Sequence, residues 1–110
     1  MTVTLTALYP QDADFDFDYY IQTHLPLAEN IAGSLLVDWH VMKVTGDTPY
    51  CVQATLVWSS AEELEGLMAS DAGAKLIEDV KNFSGKPPLL LQQCSEIASR
   101  RSMQQRGNQL

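Results

Sequence analysis

The apolar residues of this chain change their spacing in a fixed order, and that order constrains the fold more than any single motif does. Val3, Leu5, Ala7 and Tyr9 alternate with Thr2, Thr4 and Thr6 up to Pro10, the period of a strand with one apolar face. Phe17, Tyr20, His24, Leu27 and Ile31 then recur at steps of three and four, the period of a helix. Asp16 offers a capping carboxylate before that helix and Gly33 a stop after it. The stretch 35–44 and the run from Tyr50 to Trp58 read as two strands, with Thr45-Gly46-Asp47-Thr48-Pro49 as a hairpin loop of about five residues between them.

Ser60 followed by Glu63 matches a capping box ahead of Leu64, Leu67 and Met68. Gly73 is expected to interrupt this second helix, which Leu76, Ile77 and Val80 continue for a short turn. Gly85-Lys86-Pro87-Pro88 forbids both helix and central strand, and residues 89–98 read as a last strand. Residues 99–110 are polar, rich in Gln and Arg, and are expected to form a mobile tail.

Strand, helix, strand, strand, helix, strand is the α+β order of the ferredoxin-like βαββαβ arrangement, with a four-stranded antiparallel sheet. One domain over residues 1–98 is expected, and a hydrophobic content of 45% is enough for its core. Helices on one face leave the other face of such a sheet bare. Leu36, Met42, Val52, Ala54 and Leu56 are expected to make that bare face too apolar for a monomer, so a homodimer follows.

A formal charge of −7 repels phosphate backbones and anionic lipid heads, which argues against nucleic acid and membrane partners. No segment approaches the roughly 20 apolar residues of a membrane helix, and no signal peptide is recognised, so the cytoplasm is the expected compartment. Cys51 and Cys94 lack metal spacing and read as buried, small apolar side chains. On strands either side of the first they stand about 9.5 Å apart, too far for a disulfide. His24 and His40 are not spaced as ligands on one helix face, and no metal site is expected.

Pro26 falls inside the first helix, where it cannot donate to the carbonyl of Gln22. A bend next to His24 is expected, with that carbonyl freed for a ligand.

Tyr9-Pro10, Phe15-Asp16, Tyr19-Tyr20 and His24-Leu25-Pro26, in that order, resemble the opening signature of the EthD family, named for ethyl tert-butyl ether degradation. Trp58-Ser59-Ser60, Ala69-Ser70 with Gly73-Ala74, and Asp79-Val80-Lys81-Asn82-Phe83 are similar to its second half, with Val80 where isoleucine is common. The resemblance covers residues 1 to about 98. It implies a dimeric α/β barrel, in which two four-stranded sheets pack together, and a role in small-molecule metabolism.

The candidate site comprises His24, Tyr9, Tyr20 and Asp79, placed in a cleft between the first strand and first helix. A histidine and two phenols can move protons or orient a polar substrate, while a carboxylate fixes the imidazole tautomer. The competing reading makes His24 a satisfied core histidine, Tyr9 and Tyr20 packing residues with a wet hydroxyl, and Asp79 a solvated acid late in a helical turn. Trp39 and His40 should face opposite ways, and Trp39 and Trp58 serve packing or line a pocket.

Three functions fit. The first is a cofactor-independent enzyme, or degradation-pathway component, acting on a small, largely apolar organic compound with His24 as acid and base. The second is a noncatalytic binding or accessory protein that uses the same cavity. The third is a haem protein with His24 as axial ligand, against which the acidic charge and the lack of a second obvious ligand weigh.

Overall fold

The computed structural model describes the backbone over residues 1–109 and the side chains over residues 1–104. Strands β1 (Val3–Pro10), β2 (Leu36–Lys43), β3 (Tyr50–Trp58) and β4 (Leu89–Cys94) form one sheet in the order β2-β3-β1-β4. Every neighbouring pair is antiparallel, which is the ferredoxin-like arrangement. Helices α1 (Phe17–Tyr19), α2 (Leu25–Ala32), α3 (Ala61–Met68) and α4 (Asp71–Asp79) account for the two helical regions.

The register decides which residues meet the helices. Val3, Leu5, Ala7 and Tyr9 stand opposite Trp58, Leu56, Ala54 and Val52, and these side chains share one face of the sheet. Val52 and Ala54 are fully buried there and Leu56 nearly so, against Leu25, Leu64 and Phe83. Leu36, paired with Trp58, packs against the same core. The sequence reading put Leu36, Val52, Ala54 and Leu56 on the bare face. The structure reverses this, because a shift of one residue moves a whole side-chain set to the other face. Met42, opposite Gln53, does lie on the bare face, together with Leu8, Leu89, Val57 and Leu91.

The first helical region is not one α-helix. Asp16 caps α1 by accepting from the Tyr19 amide at 3.0 Å. A π-helical turn over Tyr20–His24 then intervenes, closed by the Leu25 N–H to the Tyr20 carbonyl, five residues back. Pro26 follows just after the π turn, within helical backbone that runs unbroken from Phe17 to Ala32. The expected distortion beside His24 is present, as a π turn just before the proline. Gly33 ends α2 at φ 56°, a left-handed backbone that suits glycine.

Ser60 caps α3, as its spacing to Glu63 indicates. The break before α4 lies at Ala69–Ser70 instead of Gly73, with Ser70 capping α4 through the Gly73 amide. Gly73 serves a close approach: a Cβ there would overlap the Leu67 carbonyl and stand 2.8 Å from Met68 Cα. Cys51 and Cys94 are both free, and Cys94 is exposed, contrary to the expectation of burial. The polar tail carries a helix, α5 (Arg100–Gln109), begun by reciprocal 3.0 Å bonds between the amides and hydroxyls of Ser99 and Ser102. The rest of the tail's side chains lie outside the described residues.

Candidate functional site

Asp79, at the end of α4, is the hub of a four-residue cluster. Its Oδ2 lies 2.8 Å from His24 Nδ1, while its Oδ1 accepts from the Tyr19 hydroxyl at 2.7 Å and from Asn82 Nδ2 at 2.9 Å. The His24 and Asp79 side chains retain 12% and 11% of their exposure, so the pair is shielded from bulk water. Burial pushes the Asp79 carboxyl up, but the bonds from Asn82, Tyr19 and His24 outweigh it and hold the group below its ordinary value. The same bond to Asp79, with burial, raises Tyr19. An ionised Asp79 accepts from Nδ1–H, so the neutral imidazole presents the lone pair of Nε2, a tautomer assigned from the bonding network.

Packing fixes the ring as well. Tyr20 stacks on His24 with centroids 5.2 Å apart and planes 24° apart, and Phe83 stands 4.6 Å from it. Phe83 also meets Tyr9, Phe15 and Tyr20 at 4.9–5.7 Å, which makes it the centre of the aromatic cluster. Burial raises the Tyr9 phenol far above its ordinary value, with Tyr20 adding to the effect, and burial alone does the same to Tyr20. Both are neutral O–H groups and neither can serve as a base.

Beside this cluster lies a cavity of about 350 Å³ between the sheet and the helices. Its floor is Leu5, Ala7, Tyr9, Leu56, Trp58 and Leu90, and its roof includes Tyr20, His24, Met68, Leu76 and Val80. It extends past the expected cleft between first strand and first helix to reach β3, β4, α3 and α4. No lysine, arginine or carboxylate lines it among the described residues. Trp58 is 2% exposed, and its indole N–H has no acceptor among the described residues. An unpaired buried donor costs about 1–3 kcal/mol. A larger hollow of about 660 Å³ is lined by residues 14–18 and 81–85 and contains none of His24, Tyr9, Tyr20 or Asp79.

All four sequence candidates are therefore close together, though not in equal roles. Asp79 orients the imidazole, Tyr20 stacks on it, and Tyr9 sits in the aromatic floor. Sequence reasoning missed Tyr19 and Asn82 as partners of Asp79. Asn82 was findable three residues beyond Asp79, whereas Tyr19 was not. In an α-helix, five residues turn through about 500°, leaving Tyr19 and His24 about 140° apart. The wider π turn brings residues five apart nearly into line, and both reach one carboxylate. Trp39 stays outside the cavity and donates to Glu29 at 2.7 Å, while His40 points the other way, 3.2 Å from Asp38.

Fold and site together define a ferredoxin-like α+β domain with a carboxylate-bonded histidine on the wall of an apolar cavity. The EthD domain matches over residues 9–87, most of the chain. The protein belongs to the EthD family. Among solved structures it is similar to an EthD-family protein from Bacillus halodurans C-125, with 28% identity, 88% of this chain and 100% of that chain covered, and a TM-score of 0.70. An EthD-like protein from Ralstonia eutropha JMP134 has the same fold, at 24% identity, 92% and 96% coverage and a TM-score of 0.77. A protein from Arabidopsis thaliana shares the fold at 13% identity, 90% and 99% coverage and a TM-score of 0.62. No curated protein matches. Among the described residues, no helix is long and apolar enough to cross a membrane.

Proposed function

We propose that this protein acts in small-molecule metabolism or degradation as a cofactor-independent acid/base catalyst, with His24 the proton-transfer residue. The observation that carries this reading is His24, hydrogen-bonded to Asp79, in the lining of a mostly apolar cavity. Nε2 accepts a proton from a C–H or O–H of a small apolar organic compound, and the imidazolium formed is stabilised by Asp79. Tyr20 and Phe83 keep the ring from turning away. Tyr9 and Tyr20 supply neutral O–H groups at the same end. About 350 Å³ is near the small end of ligand pockets, which suits a compound of one or two rings.

The test is solvent deuterium incorporation, measured for a panel of small apolar carbonyl, ether and phenol compounds in the parent and in His24→Asn. Exchange that requires His24 supports the proposal. Binding without exchange in both proteins leaves a noncatalytic binding or accessory protein and removes the catalytic role.

The second half of the proposal is a homodimer joined through the bare sheet face. Leu8, Leu89 and Leu91 stand together there beside Val57 and Met42, interleaved with Thr4, Thr6 and Thr55. Met42 is 58% exposed and Leu91 46%, a large apolar area for a monomer to leave in water.

A further inference from the structure

We infer that the Tyr9 and Tyr20 hydroxyls together hold one carbonyl oxygen, which makes small ketones with a hydrogen on the adjacent carbon the compounds this site acts on. The inference rests on the proton transfer proposed for His24 and names the class of compound it serves. Its first support is a lack of partners. Neither phenol O–H has an acceptor among the described residues, whereas the Tyr19 hydroxyl finds Asp79 at 2.7 Å. Among the described residues the buried side-chain polar atom that is both unpaired and sealed off is Trp58 Nε1, so the unpaired phenol oxygens are not sealed. Their rings are 4% and 2% exposed and line the cavity, which is therefore the space that reaches them. His24 Nε2 is in the same position, since Asp79 engages only Nδ1.

Three unpaired polar atoms thus stand on neighbouring rings in an otherwise apolar lining. Tyr9 and Tyr20 have centroids 6.3 Å apart, and Tyr20 and His24 5.2 Å apart, so a molecule of one or two rings can meet all three. Phe15 and Phe83 pack on both phenols and hold them in place. Burial keeps both phenols protonated, so both donate. The chemistry selects the ligand. A carboxylate or phosphate would find no lysine or arginine in the lining, and desolvating such an anion is costly. Alcohol and phenol protons exchange with water unaided and need no such site. A proton leaves carbon readily only when the charge can move to an oxygen, and two O–H donors beside the base supply that place for a ketone. Nε2 takes the proton, the C–H electron pair forms a carbon–carbon double bond, and the carbonyl π pair moves to the oxygen held by Tyr9 and Tyr20. Return of a proton from Nε2 to carbon completes the cycle with no net oxidation.

Cyclohexanone and 2-tetralone, labelled with carbon-13 at the carbonyl, are the probes. The bound C=O stretch should lie below that in hydrocarbon solvent, and Tyr9→Phe and Tyr20→Phe should each move it part of the way back. In deuterated water, exchange at the adjacent carbon should fall about 100- to 1,000-fold in either variant, the worth of one donor to an oxyanion. Unfolding stability should hold or rise in both, because neither lost hydroxyl has a partner in the folded protein. A stretch or an exchange rate that either substitution leaves unchanged overturns the inference, and the His24 reading survives if exchange still requires His24. Failure of both ketones to bind at millimolar concentration overturns it too, as does a loss of stability in either variant, which would assign that hydroxyl to the fold. A stretch that depends on both tyrosines, without exchange, leaves the carbonyl contact standing and refutes only the chemistry proposed for His24.

Discussion

The Tyr19 hydroxyl and the His24 imidazole bind opposite oxygens of one carboxylate, Asp79, at 2.7 and 2.8 Å. Each partner's position thus depends on the other's. Tyr19→Phe should keep the ring beside Phe83 and remove one donor, destabilising by about 1 kcal/mol. The Asp79 pKa should rise toward its ordinary value, and carbon-13 titration of the Asp79 carboxyl reads that shift directly. No movement would mean that Asn82 and His24 alone hold it down.

Asp79 also gives the fold a pH dependence of definite sign. Its folded value is depressed below 3.8, so its stabilisation is complete above about pH 4 and is lost as pH falls through the depressed value. Asp79→Asn should be less stable by about 1–3 kcal/mol at pH 7, the worth of charge-assisted bonds to a shielded carboxylate. The gap should close as the parent is acidified below pH 4. Parallel denaturant unfolding curves across that range check it, and a gap that stays constant with pH contradicts the assignment.

Pro26→Ala restores an N–H where the π turn gives way to α2, and should let the turn relax toward α-helix. Tyr19 and His24 would then diverge. Unfolding stability should change by less than about 1 kcal/mol, while ligand-dependent exchange at the His24 site falls. Equal losses of stability and exchange would instead point to general damage.

At Gly73 an added Cβ meets backbone, not a movable side chain. Gly73→Ala should therefore cost about 1–3 kcal/mol, despite alanine's better helix propensity, and should displace Met68 from the cavity roof. Thermal unfolding gives the sign. A stabilised variant would show that the α3–α4 corner yields easily.

On the bare sheet face, Leu91→Glu should place a charge within the proposed dimer contact while leaving the helix-side core untouched. Sedimentation at micromolar concentration should report dimer for the parent and monomer for the variant. A parent that is monomeric throughout, with no loss of stability on dilution, ends the dimer proposal.

The sheet order and the caps at Asp16 and Ser60 were legible because each rests on local chemistry with a fixed period or spacing. The four candidate residues were also found in one neighbourhood, although Asp79, which could equally have been a solvated acid late in a helical turn, is the hub. Nothing local distinguishes an acid at a helix end from one that meets a histidine 55 residues away. The π turn was only half legible, since Pro26 forecasts a distortion without saying that the coil widens and brings Tyr19 into line. The face assignment of Val52, Ala54 and Leu56 failed on parity, because in a mostly apolar strand alternation alone leaves the inward set undecided. The α5 helix was missed for want of an apolar stripe, though Ser99 and Ser102 carried its cap.

The bonds that build the site join residues 55 and 60 positions apart, from the two halves of the chain, around Phe83 of the second half, which rings of the first half surround. Such a site cannot form in a partly folded segment, so it melts with the whole domain rather than before it. A ligand held there draws its binding free energy from the global folding equilibrium, and at a hundredfold excess over its Kd adds about 2.7 kcal/mol to it. The unfolding temperature of the unlabelled protein is thereby a direct readout of occupancy, and a melting screen of neutral oxygenated hydrocarbons finds ligands whether or not the protein turns them over.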